Sequence, residues 1–280
     1  MTDRDRRRLL GLAGSGVAGV AAGAIGATAV SAAVADEGAP SDADLEARQA
    51  TWTGDRPLGV RRVWWSVPTE QPLLSLTFDD GPDPLFTPRI LDALATAGAR
   101  ATFFVMGTML DRHPDLGRRI VDEGHEVGNH TWSHENLAFL GADGIREQIE
   151  RSHRAIIDTL GVTPVWFRPP RGALPGAALR VAAELGCDTA VWSVSRTLSQ
   201  VGTPREILER LVDGLEPGAI VDLHDSIGRG NFMPPFSGLR DELAAKREVE
   251  VVALPDLLSA ISGMGLSSVT LSELARAAGT

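Results

Sequence analysis

The chain has 280 residues, 43% of them hydrophobic, and its 27 Lys and Arg against 37 Asp and Glu give a net charge of −10 at neutral pH. That is enough apolar material for one large α/β core or two small ones, and an acidic chain without a basic block is a poor nucleic-acid binder. Cys187 is the only cysteine, so no intramolecular disulfide can form and the fold must rest on its core and any bound metal.

Residues 1–35 read as an export signal. Arg6-Arg7-Arg8 precede an uncharged Gly/Ala-rich stretch over residues 9–30, and Ala33-Val34-Ala35 supplies an A-x-A-like cleavage site. Asp5-Arg6-Arg7-Arg8-Leu9-Leu10-Gly11 resembles a twin-arginine signal. An ordinary secretory signal and an uncleaved anchor are the alternatives, since the stretch is long enough to span a bilayer. The expected location is secreted or cell-surface, with membrane contact only through this signal. Losing residues 1–35 removes four Arg and two Asp and leaves the mature chain at −12. Residues 36–62, polar and without a sustained apolar period, read as a linker.

From residue 63 onward, short apolar runs alternate with segments of helical period. The runs at 73–78, 101–105, 189–194 and 219–223 predict strands, and 267–271 a last one; residues 88–97, 116–123, 144–160, 176–185, 204–215 and 254–261 predict helices. The alternation predicts parallel strands joined by crossover helices, in about seven units. Both a closed (β/α) barrel and an open doubly wound sheet fit this count. No glycine-rich dinucleotide fingerprint follows the first long strand, which counts against the open sheet.

Polar residues cluster just beyond the apolar runs, where α/β folds place their sites. Thr77-Phe78-Asp79-Asp80-Gly81-Pro82 sets two carboxylates side by side, an arrangement that is costly without a nearby positive charge. A metal ion meets that need; a solvated turn is the plain alternative. In Asn129-His130-Thr131-Trp132-Ser133-His134, two imidazoles four apart can reach one ion if the segment turns helically, and His with carboxylate suits zinc or another first-row metal. The same stretch contains a glycosylation sequon, a weak reading beside a metal role. His113, His125 and His153 are expected at the surface or just outside the metal set. Phe167-Arg168-Pro169-Pro170-Arg171-Gly172 offers a guanidinium that could hold a carboxylate ionised, and Asp222-Leu223-His224-Asp225 puts a titratable imidazole at the same rim.

Together these motifs resemble the polysaccharide deacetylases of carbohydrate esterase family 4, over residues 63–280. The resemblance implies a distorted (β/α) barrel of about seven parallel strands with one divalent metal, zinc first and Co2+, Ni2+ or Mn2+ as alternatives. It implies Asp80, His130 and His134 as metal ligands, Asp79 as the general base that activates a water, and Arg168 as the group that orients Asp79. His224 would be the general acid. The backbone N–H of Arg171, where many relatives carry Tyr, would face the oxyanion, and Pro170 and Trp192 would lie beside the substrate. The implied reaction removes N-acetyl or related acyl groups from amino sugars of peptidoglycan, chitin-like chains or another extracellular glycan.

The chain departs from that pattern around the acid. Ser195 stands where relatives carry an aspartate that supports the acid His, Ser199 where they carry a Trp lining the acyl pocket, and Asp222 where they carry an apolar residue, commonly Leu. Residues two apart on a strand share a face, so Asp222 is expected beside His224, either replacing the lost carboxylate or only making the acyl pocket polar. Two other readings stay open: an O-acyl esterase using the same site, and a glycan-binding relative that has lost catalysis.

Overall fold

The computed structural model describes residues 61–196, 201–234 and 238–279. The export signal, nearly all of the expected linker, and Ser199 lie outside the described residues.

Among the described residues nine strands form one sheet with every ladder parallel: β1 (Val63–Trp64), β2 (Leu73–Asp79), β3 (Ala101–Val105), β4 (Glu126–Asn129), β5 (Trp166–Phe167), β6 (Asp188–Ala190), β7 (Val194–Ser195), β8 (Ile220–His224) and β9 (Ser267–Ser268). Their order is β1-β6-β5-β4-β3-β2-β8-β7, with β9 paired to the start of β2. The single run expected at 189–194 is divided into β6 and β7, and this division draws the two ends of the curled sheet toward each other. The Val191 N–H donates to Trp64 in β1, whereas two residues later the Ser193 N–H donates to Ile220 in β8. One stretch of chain therefore changes neighbours midway and joins the two ends of the strand order. Just after β1, Val67 donates to Gly218, whose φ of 83° and contact with the Val67 carbonyl admit no side chain.

The helices are α1 (Thr87–Ala97), α2 (Gly107–Arg112), α3 (Pro114–Asp122), α4 (Ala142–Leu160), α5 (Gly176–Glu184), α6 (Pro204–Val212), α7 (Gly238–Gly263) and α8 (Leu271–Ala277). Their starts follow local chemistry: Thr203 and Glu206 close a capping box on α6, as do Thr270 and Glu273 on α8. The predicted helix at 254–261 is only the end of α7, which has 26 residues and carries Pro255 inside. Its first half is densely charged, which hid it from apolar periodicity. Among the described residues no helix is long and apolar enough to cross a membrane.

Strand alternation separates two environments. Leu74, Leu76 and Phe78 of β2 pack outward in a core with Ile90, Leu91 and Leu94 of α1 and Leu254, Leu257 and Ile261 of α7. Ser75, Thr77 and Asp79 take the opposite face, in register with Ile220, Asp222 and His224 of β8. At the other end of the barrel, Leu271 and Leu274 of α8 pack against Trp64, Phe104 and Trp166. The interior is thus apolar where α8 covers it and becomes polar toward the C-terminal strand ends.

Candidate metal and catalytic site

Arg168, immediately after β5, is fully buried and organises that polar interior. Its Nη1 donates to Thr77 Oγ1 at 2.7 Å and Asp79 Oδ1 at 2.8 Å, while Nη2 and Nε donate to the carbonyls of Val191 and Ala190. The ring of Phe104 lies 4.1 Å from the guanidinium carbon. Burial raises the Asp79 carboxyl above the ordinary range, and the Arg168 charge opposes that rise. One oxygen of Asp79 is therefore committed to Arg168 while the other, Oδ2, lies 3.6 Å from His130 Nε2.

The pair Asp79-Asp80 diverges because Asp80 takes a φ of 82°. His130 follows β4, and His134 is reached by a loop rather than the helical turn expected from the spacing: Thr131 and His134 have φ of 70° and 56°. Arg171, with a φ of 61°, completes the set of non-glycine residues with positive φ among those described. All four lie in or beside this site, where backbone strain of about 1–3 kcal/mol per residue is held in place by surrounding structure. Asn129 is wholly buried and uses both ends of its amide, toward Ile149 O and Thr131 N, so the sequon is not an accessible acceptor.

Asp80, His130 and His134 can each turn one ligand atom to a common point, all within 4.8 Å of one another. His134 Nε2 lies 3.2 Å and His130 Nε2 3.6 Å from Asp80 Oδ1. These distances bracket the separation of about 3.4 Å that bonds near 2.1 Å give between tetrahedral ligands. The structure fits a metal in other ways. Asp80 Oδ1 is buried with no hydrogen-bond partner, and the Arg168 carbonyl accepts from His130 Nδ1 at 2.8 Å, leaving Nε2 free to ligate. Burial pulls both imidazoles down to about 4, so they are neutral, as ligands must be. Gly228, with a φ of 54°, lies so close to Asp80 that a Cβ there would meet its carboxylate. His125 and His153 are buried outside this set; the Nδ1 of His125 accepts from the Ala101 N–H.

A cavity of about 590 Å³ opens over the cluster, lined by Asp79, Asp80, His130, His134, Arg171, Trp192, Asp222, His224 and Arg247 among others. Pro170 is buried at the start of a short 3-10 turn and is not part of this lining. Ser195 and Asp222 are register partners on β7 and β8, and Ser195 Oγ donates to Asp222 Oδ2 at 3.2 Å. Burial pushes Asp222 up to about 6. His224 rises to about 9: burial and Arg247 work against its charged form, and Asp222 and Glu250 outweigh them.

Glu250 and Arg247, both on α7, are site residues that the strand-end motifs do not reveal. Arg247 Nη2 is 3.7 Å from Asp80 Oδ2 and its Nη1 donates to Glu250 at 2.8 Å. A signal existed: continuing the spacing of Ile261, Leu257, Leu254 and Val251 backwards puts Glu250 and Arg247 on the apolar stripe, where charges need partners.

A curled, barrel-like parallel sheet with an Asp-His-His cluster, a buried carboxylate and an imidazole at its C-terminal rim has the layout of a metal-assisted hydrolase. The comparisons narrow that class. The sequence profile of the polysaccharide deacetylases matches residues 66–190. A peptidoglycan-N-acetylglucosamine deacetylase of Bacillus cereus is 33% identical over 219 residues, covering 76% of this chain and 93% of that protein. A chitooligosaccharide deacetylase of Sinorhizobium fredii is 37% identical over 190 residues, 67% of this chain and 88% of that one. The crystal structure of a peptidoglycan N-acetylglucosamine deacetylase in complex with a naphthalenyl N-oxidanyl-benzamide superposes with a TM-score of 0.68 at 30% identity, over 77% of this chain and 94% of that one. The chain belongs to the polysaccharide deacetylase family, the hydrolases of carbohydrate esterase family 4.

Proposed function

We propose that this protein hydrolyses the amide joining an acetyl group to an amino sugar of peptidoglycan or a chitin-like glycan, outside the cytoplasm. The observation that carries the reading is the junction of the two carboxylates: Asp79 is held by Arg168 on one oxygen while Asp80 joins two neutral imidazoles. Simple binding of a metal or a sugar would need Asp80 but no oriented base beside it. The named activities of relatives that align over most of their length support the same substrate class.

In this reading Asp80, His130 and His134 hold one divalent ion, zinc before Co2+, Ni2+ or Mn2+, because two imidazoles and one carboxylate suit borderline metals. When bound, the ion polarises the acyl carbonyl and lowers the pKa of a water to about 7. Asp79 takes the proton from the attacking water through Oδ2, the oxygen Arg168 leaves free. The backbone N–H of Arg171 faces the oxyanion, and one such donor is typically worth about 2.7–4 kcal/mol. His224 protonates the leaving amine as the C–N bond breaks. Trp192 and Asp222 flank the acyl group. The twin-arginine-like segment at residues 1–35 would deliver the chain already folded to the compartment where the glycan lies.

Release of acetate from N-acetylglucosamine oligomers by the purified chain, abolished by chelation, restored by zinc and absent in Asp79→Asn, is the expected result. Activity on O-acetyl but not N-acetyl substrates would replace the amidase reading with an esterase one; no release with the metal bound would replace it with glycan binding.

A further inference from the structure

Glu250 is a buried carboxylate outside the strand-end motifs. It reaches the rim from α7, is nearly fully buried, and uses its two oxygens for different partners. Oε1 accepts from Arg196 Nη1 at 2.7 Å and Arg247 Nη1 at 2.8 Å. Oε2 accepts from the backbone N–H of His224 at 2.9 Å and lies 3.5 Å from His224 Nδ1. The guanidiniums are themselves anchored, Arg196 to Lys246 O and Arg247 to Ser226 O, so the carboxylate is fixed before it meets the ring. His224 Nδ1 is buried and makes no hydrogen bond, so its 3.5 Å ion-pair approach to Glu250 is the contact that can satisfy it. With Nδ1 turned to Glu250, Nε2 is the nitrogen left for the cavity that His224 lines.

We propose that Glu250 is the positioning residue of His224, supplying from α7 the carboxylate support that β7 lacks because Ser195 stands there. The proposal rests on the deacetylase reading for its catalytic meaning. Asp222, two residues before His224, is the competing carboxylate, but its Oδ2 is taken by Ser195 and its Oδ1 lies 3.7 Å from Arg168. The charged and titratable groups facing His224 are Asp222 on β8, Asp79 and Asp80 at the end of β2, His130 and His134 beyond β4, and Glu250 and Arg247 on α7. Glu250 stays ionised: burial alone would neutralise it, but Arg247, His224 and Arg196 hold it down at about 2. An ionised carboxylate at Nδ1 favours the imidazolium, with Nδ1–H facing α7 and Nε2–H facing the substrate nitrogen. In the step it supports, Nε2 gives its proton to that nitrogen as the C–N bond breaks, the amine departs neutral, and the ring recovers a proton from solvent.

Leaving-group dependence separates this role from a purely structural one. Glu250→Gln should lower kcat on an N-acetylglucosamine oligomer by about 10²-fold or more, the range of a general acid, with KM little changed. Hydrolysis of 4-nitrophenyl acetate, whose leaving group needs no proton, should be nearly unaffected, and Glu250→Asp should recover part of the amide activity. Equal losses on both substrates, or none on either, would overturn the proposal. Nitrogen-15 NMR of the full chain, with the ring identified through His224→Gln, decides the contact without turnover or variant folding. Wild-type His224 should carry its neutral-state proton on Nδ1; an Nε2–H tautomer would refute the contact. A wild type inert toward both acetates but showing that Nδ1–H signature would sink the deacetylase reading and leave the contact standing.

Discussion

The two halves of the rim are built on different plans. On the β2 side, Asp79 and Asp80 end one strand, and the groups that complete them, Arg168, His130 and His134, come from the ends of β4 and β5 through short connections. On the β8 side, His224 is also a strand-end residue, but its support is drawn from β7, its own strand and the distant helix α7. In the first half Arg168 donates to Thr77, Asp79, Ala190 and Val191, so changing its chemical type leaves several buried acceptors unpaired. The second half can exchange one carboxylate for another, because an imidazolium needs a negative charge nearby more than it needs a particular strand to carry it.

Replacing groups in the first half should have the largest effects. Asp79→Asn should lower kcat by about 10²–10⁴-fold, the contribution of a general base, with metal content by elemental analysis unchanged. A variant that also loses its metal would place Asp79 among the ligands and erase the division between the two carboxylates. Arg168→Met should cost about 3–5 kcal/mol in denaturant unfolding, since it strands the Asp79 charge in the interior. Without its cation Asp79 should ionise only at still higher pH, moving the acidic limb of the pH–rate profile up. An unmoved limb would mean that Arg168 supports the barrel and not the base.

How well each half reads from sequence follows from the same contrast. Asp79, Asp80, His130, Arg168 and His224 sit at strand ends, and a period-2 run that stops at a polar residue announces its own register. The loop carrying His134 was the exception: four-residue spacing suggests a helical turn, whereas left-handed Thr131 and His134 make the bend, and that geometry has no side-chain signature. Ser195 and Asp222 were legible as neighbours because strand parity and adjacency fix them. Glu250 was not, since its place depends on how a 26-residue helix lies across the barrel, set by packing of Leu254, Leu257 and Ile261 against β2 and α1. The division of 188–195 between two partner strands was likewise invisible, because the choice of neighbour is made by β1 and β8 and not by the run itself.

Replacing Asp222 in the second half should have the smallest effect, confined to alkaline pH. Mutating Asp222 to Leu removes one of the two carboxylates that raise His224 to about 9. The raised pKa means that the protonated, acid-competent ring is fully populated below its ordinary 6.5 and is lost as pH climbs through about 9. The variant should therefore keep nearly all of its rate at pH 7, where even a substantially lowered pKa leaves most rings protonated, and its basic limb should shift downward.

Stability should move in the opposite direction to intuition about losing a charge. Burial holds Asp222 up at about 6, so the folded state disfavours its ionised form, and the penalty grows from pH 3.8 and is complete above 6. Unfolding at pH 8 should thus find the Leu variant as stable as the wild type or more so. An unmoved basic limb with Asp222→Leu would leave Glu250 as the residue that tunes His224 and reduce Asp222 to a polar wall of the acyl pocket. A limb displaced to the ordinary imidazole range would give that role to Asp222, and the helix would then only pin the backbone of β8.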